Sequence, residues 1–132
     1  MDRICDNALK VANFLLNHPN VAWVNYAGLE DHGDKLLVDK YLGGRASGIL
    51  TFGVKDGREG GERFQDALKL ITRLVNIGDA KSLACHPAST THRQLSPAEL
   101  LNAGVSEDMV RLSIGIEHID DILADLDQAL AA

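Results

Sequence analysis

Val110-Arg111-Leu112-Ser113-Ile114-Gly115-Ile116-Glu117 alternates apolar and polar residues without a break. That period belongs to a β-strand with one apolar and one polar face. Immediately after it, Ile119, Ile122, Leu123, Leu126 and Leu130 recur at helical spacing. Asp120 and Asp121 fall in the first turn of that helix, where negative charge meets the positive helix end. A half-apolar strand and an amphipathic helix each need something to pack on, and the residues upstream supply it. Ser96-Pro97-Ala98-Glu99 is a capping box with proline at the first helical position, and Gly104 stands where that helix should end. Ser82 to Cys85 is a short strand candidate. Phe64, Ala67, Leu68, Ile71 and Val75 follow the pattern of a core-facing helix, with Asn76 and Gly78 available to close it. Ile49 to Val54 is a strand bounded by Gly48 and by Asp56-Gly57. Asp34 to Leu42 is a short helix ended by Gly43-Gly44, and Val21 to Tyr26 is a strand closed by Gly28. Ile4, Ala8, Val11 and Leu15 form the stripe of an opening helix that Pro19 stops. The expectation is a single α/β domain over residues 1–132, with four strands and five helices. Alternation by itself favours parallel crossovers and leaves strand order open.

Composition narrows the partners. The chain has 132 residues, 45% of them hydrophobic, enough for one buried core. Its formal charge of -6 comes without a basic stripe, which argues against nucleic acid. No apolar run approaches the roughly 18 residues of a spanning helix, and the charged opening Met-Asp-Arg-Ile-Cys-Asp is unlike a signal sequence. No membrane partner is expected, and the expected compartment is the cytosol. Cys5 and Cys85 are read as reduced.

Few residues suggest chemistry by type and place. The strand period puts Arg111 on the polar face, where a guanidinium can grip a carboxylate with two parallel hydrogen bonds. A solvated arginine on an open sheet is the plainer alternative. Cys85, His86 and His92 are metal-ligand types, but the first two are neighbours on a strand and should point to opposite faces, and no fourth ligand is apparent. No metal is expected. A thiol nucleophile at Cys85 would lack an orienting third group. The glycines between Gly43 and Gly61 match neither a P-loop nor a dinucleotide fingerprint and are read as turn residues.

Three blocks then carry a resemblance. Asn76-Ile77-Gly78-Asp79-Ala80-Lys81-Ser82-Leu83, Cys85-His86-Pro87-Ala88-Ser89-Thr90-Thr91-His92 and Val110 to Glu117 together are similar to the Cys/Met-metabolism family of pyridoxal-phosphate enzymes. His18-Pro19-Asn20-Val21 and Glu117 to Leu123 resemble its O-acetylhomoserine sulfhydrylase branch in particular. The resemblance covers essentially the whole chain. It implies the small C-terminal domain of a fold-type I transferase, with a roughly four-stranded, mostly antiparallel sheet, helices on one face, and a larger cofactor domain packed against it. That replaces the expectation of parallel crossovers.

The implied reaction is γ-replacement, in which O-acetyl-L-homoserine and sulfide, or another thiol, give homocysteine or its thioether and acetate. The resemblance gives Arg111 the substrate α-carboxylate, sets the Ser82 hydroxyl beside the catalytic lysine and makes the Leu83 N–H a further carboxylate contact. Lys81 stands where cystathionine-handling relatives often carry glutamate, which implies a part in nucleophile choice. Pyridoxal phosphate would be held by the remainder of a longer, homo-oligomeric enzyme. No lysine here stands in the family's cofactor-lysine context, so the chain alone is expected to be inactive. O-succinylhomoserine sulfhydrylase and methionine γ-lyase share these features, and a free-standing interaction module is the alternative of another class.

Overall fold

The computed structural model describes residues 1–132. Its elements in chain order are α1 (Asp2–Leu16), β1 (Val21–Asn25), α2 (Lys35–Tyr41), β2 (Ile49–Val54), α3 (Gly57–Ala67), β3 (Thr72–Arg73), β4 (Leu83–Cys85), a 3₁₀ turn (Pro87–Ser89), α4 (Pro97–Asn102), β5 (Met109–Ser113) and α5 (Ile119–Leu130). The strands form one sheet in the order β1-β2-β5-β4-β3. β1 to β2, β2 to β5 and β5 to β4 pair antiparallel, and β3 joins β4 parallel at the edge. The mixed, mostly antiparallel sheet agrees with the family expectation, with one strand more than the four anticipated.

The apolar stripes decide which face the helices cover. Leu50, Phe52 and Val54 of β2, Val110 and Leu112 of β5, and Ala84 of β4 point to one side and are buried. Ala8, Val11, Ala12 and Leu15 of α1, Phe64 of α3, and Ile122, Leu126, Ala129 and Leu130 of α5 close over them in one cluster of 20 buried residues. Phe52 and Phe64 meet edge to face with centroids 5.4 Å apart, the arrangement that the ring quadrupole favours. Ser96 makes the expected capping box with Glu99, and Gly104, at φ 78°, turns the chain out of α4.

The helix expected through Val75 ends at Ala67 instead, and its fifth apolar residue is exposed. The cause lies on α5. Both carboxylate oxygens of Asp125 accept the consecutive backbone N–H groups of Lys69, Leu70 and Ile71, each at 2.9 Å, and Gln128 donates to the Ala67 carbonyl at 2.6 Å. Those amides find a better acceptor than a further helical turn offers, and the freed chain becomes β3. The glycines need correcting too. Gly43, Gly44 and Gly57, the last at the start of α3, have positive φ as turn residues do, whereas Gly53 lies within β2 and Gly60 and Gly61 lie inside α3. A Cβ on Gly61 would come within 2.9 Å of His86 ring atoms, so glycine here lets the helix approach the end of β4.

Strand β5 also stops earlier than the alternation suggests. Beyond Ser113 the Ile114 N–H goes to Gly48 and the Ile116 N–H to Ala80, and Ile116 is about half exposed.

Candidate functional site

On the face opposite α1, α3 and α5, where Met109 packs against the cluster that holds Leu100 of α4, the register builds a row across four strands: Asn25 opposite Thr51, Thr51 opposite Arg111, and Arg111 opposite Cys85. Arg111 is only partly exposed, and its Nη2 donates to the Asn76 carbonyl at 3.2 Å. It has no carboxylate partner. Arg45, Arg58, Arg63 and Arg73 are each paired with an acidic residue, and the other two unpaired arginines, Arg3 and Arg93, are exposed. In a chain with 19 acidic and 13 basic side chains, a half-buried guanidinium without a counter-ion is poised to receive an anion.

The face is less open than the alternation suggested, because residues 76–82 lie over β5 as a strap. Alternate strap residues are pinned in turn: the Asn76 carbonyl by Arg111, the Gly78 N–H by Ser113 Oγ at 3.3 Å, and the Ala80 carbonyl by the Ile116 N–H at 2.8 Å. At the far end Ser82 is clamped. Its N–H donates to Glu117 Oε2 and its hydroxyl to Glu117 Oε1, both at 2.8 Å, while its oxygen accepts the Gly115 N–H at 2.9 Å. Asn7 of α1, itself buried, donates to the carbonyls of Gly115 and Glu117 at 3.0 and 2.9 Å and fixes this corner from below.

Each anticipated site residue thus has a place. Leu83 is buried and shares the Arg111 face, two residues along β4 from Cys85. The Ser82 and Ala84 carbonyls accept from Thr72 and Leu74 on the β3 side, so alternation turns the Leu83 N–H toward β5. Ser82 is fully buried. Lys81 is exposed at the end of the strap, its own N–H held by Asp79 Oδ1 at 2.9 Å. Asn76, Ser113 and Glu117 were not singled out beforehand as site residues; Glu117 had shown itself only as a polar residue at the end of the alternating run.

Cys85 and His86 do point to opposite faces. Cys85 Sγ lies 3.4 Å from Thr90 Oγ1, whereas His86 is fully buried between Ser89 Oγ and the Glu107 carbonyl, each 2.7 Å away. A carbonyl can only accept, so His86 Nε2 carries a proton and the ring acts as a structural clip. His92 accepts or donates locally at Thr91 Oγ1. No three of the His, Cys, Asp and Glu side chains converge as metal ligands, and both cysteines are free thiols.

A model of the family described as "Cys/Met metabolism PLP-dependent enzyme" matches residues 1–131. The chain belongs to this family. It is 52% identical over 130 residues to O-acetyl-L-homoserine sulfhydrylase 1 of Thermus thermophilus, covering 98% of this chain and 31% of that protein. It is 46% identical over 132 residues to the L-methionine gamma-lyase of Pseudomonas putida, covering 100% of this chain and 33% of that protein. Among solved structures, a putative O-acetylhomoserine (thiol)-lyase from Campylobacter jejuni, carrying a pyridoxyl-lysine monophosphate, superimposes with a TM-score of 0.90 at 45% identity. The match covers 99% of this chain and 31% of that one. The chain therefore spans about a third of the length of the proteins it matches.

This member's own lysines do not fit the family cofactor. A Schiff-base lysine needs a sheltered site that favours the neutral amine, yet Lys10, Lys40, Lys55, Lys69 and Lys81 are exposed. Lys35 is held above its ordinary pKa, chiefly by its hydrogen bond to Asp39, which is the opposite direction.

Proposed function

We propose that this chain is the substrate-carboxylate domain, at the C-terminal end, of an O-acetyl-L-homoserine sulfhydrylase, which makes homocysteine and acetate from O-acetyl-L-homoserine and sulfide. The carrying observation is Arg111: a half-buried guanidinium with no carboxylate partner, on the sheet face opposite α1, α3 and α5. Support for the substrate class comes from the 52% identical relative, and coverage of a third of its length supports a domain within a longer polypeptide. The 46% identical methionine gamma-lyase gives a second reading, elimination from a related amino acid, which would use the same arginine. No helix is long and apolar enough to cross a membrane. A homo-oligomeric parent enzyme in the cytosol is part of the same proposal.

Pyridoxal phosphate, bound by the rest of the polypeptide, supplies the electron sink for carbanions formed from the substrate. The residues here bind and orient. Arg111 takes the α-carboxylate through its planar fork, while a second Nη2 hydrogen stays on the Asn76 carbonyl and keeps the fork oriented. Ser82 and Leu83 form the adjoining wall, and a direct bond from either to the substrate requires local rearrangement. The Ser82 hydroxyl donates its hydrogen bond to Glu117, and the Leu83 amide faces the sheet. Lys81, at the exposed end of the strap, is placed to favour a small anionic nucleophile over cysteine with its amino group.

The test is made in the full-length enzyme. Charged hydrogen bonds are worth ~1.5–3 kcal/mol each, so Arg111→Ala should lower kcat/KM for O-acetyl-L-homoserine by roughly ten- to more than a hundred-fold. Arg111→Lys should not restore it, since a point charge cannot make two parallel bonds. The cofactor absorbance should be unchanged. Unfolding of the domain by Arg111→Ala, or a loss within about twofold, a barrier change of only ~0.4 kcal/mol, would overturn the assignment.

A further inference from the structure

Glu117 has two hydrogen-bonding oxygens and both serve one residue, the backbone and hydroxyl donors of Ser82. It makes no ion pair, although it is ionisable and only half buried. A hydroxyl has one proton to give, so while Glu117 holds it Ser82 has none for a ligand. The carboxylate thus fixes where residues 76–83 sit. Its own backbone is anchored by Asn7, and from Ser82 the strap runs back through Ala80 and Gly78 to the Asn76 carbonyl on Arg111.

Resting on the reading of Arg111 as the carboxylate site, we infer that Glu117 is a positioning residue for that site, acting through Ser82 and the strap on the orientation of the Arg111 guanidinium. With Glu117 as glutamine, the amide oxygen can take the Ser82 N–H and the NH₂ group can donate to Ser82 Oγ, but the buried hydroxyl proton loses its acceptor. Ser82 must then shift to find a partner, the pins at Ala80 and Gly78 loosen, and the Asn76 carbonyl no longer steers Arg111. A small displacement of a binding group is costly, because the fork matches a carboxylate only in a narrow range of orientation.

A double-mutant cycle in the full-length enzyme, with O-acetyl-L-homoserine and sulfide as substrates, tests this. Glu117→Gln should raise KM for O-acetyl-L-homoserine about ten-fold and leave KM for sulfide unchanged. In an Arg111→Ala background the same substitution should change KM less than about twofold, since a residue acting through Arg111 has nothing left to position. Equal effects in the two backgrounds overturn the inference, as does a fall in thermal stability with KM unchanged. If Arg111→Ala alone is damaging and Glu117→Gln is silent, the carboxylate site stands and the positioning role falls. If Arg111→Ala is itself silent, the carboxylate reading fails and this inference goes with it. Should Glu117→Gln not fold, Ser82→Ala enters the same cycle. It removes the hydroxyl, keeps the backbone bond to Glu117, and must show the same dependence on Arg111.

Discussion

Replacing Asp125 by alanine should remove the acceptor that ends α3 and destabilise the fold. The carboxylate accepts three consecutive backbone N–H groups and the Gln128 amide, all at 2.9 Å, where α3 gives way to β3. The Ile71 bond is buried, and leaving its amide unpaired costs ~1–3 kcal/mol. The Lys69 and Leu70 amides are partly accessible, so water can replace their partner at a further ~0.5–1 kcal/mol each. The expected loss is about 2–5 kcal/mol out of a typical 5–15. Asp125→Asn keeps one acceptor oxygen, best placed on Leu70 and Ile71, and should cost about half as much. Urea denaturation followed by the fluorescence of Trp23 measures both.

The same group gives a pH signature. Burial pushes the Asp125 pKa up, but the hydrogen bonds from Ile71, Lys69, Gln128 and Leu70 outweigh it and hold the pKa below the ordinary value. A depressed folded-state pKa stabilises the fold above the unfolded value of about 3.9, and that contribution fades as pH falls toward the folded one. The stability gap between the native protein and Asp125→Asn should therefore be flat above about pH 5 and close in acid. A gap that persists in acid, or a cost of Asp125→Ala under about 1 kcal/mol, would refute the account of why α3 ends.

Gly61→Ala should destabilise by about 1–3 kcal/mol despite alanine's higher helix propensity, because the new methyl group overpacks the His86 ring; thermal melts should place it well below wild type. Lys81→Glu in the full-length enzyme should impair sulfide use more than O-acetyl-L-homoserine binding, and steady-state kinetics with each substrate varied in turn will show whether it does. Leu36, Leu37, Tyr41 and Leu42 around α2, and Leu74, Val75 and Ile77 beside the strap, are all at least half exposed. The isolated chain should therefore self-associate and bind a hydrophobic dye, and a strict monomer at high concentration in sedimentation would contradict this.

What the sequence made legible was what neighbours in the chain decide. The α4 capping box, the limits of β2 and the helix period of α5 depend on residues a few positions apart, and all three stand as read. The end of α3 was not legible, since the acceptor that ends it lies more than fifty positions away on α5. Gly60 and Gly61 resembled turn residues because nothing local announces that a histidine from the end of β4 will lie against the helix. Arg111 was legible as a residue of the polar face, but the strap across that face depends on contacts 33 to 35 positions apart, beyond any periodicity.

The strap bears on how such domains can be recombined. Residues 76–83 and 111–117 look like separate motifs along the chain, yet side-chain and backbone bonds lace them together position by position. They behave as one cassette. A chimera that imports the first block from a relative with different substrate preference, and keeps the second, would join two halves of a fastener cut to different pitches. Engineering of this site should move both blocks together, along with the asparagine at position 7 that anchors their shared corner.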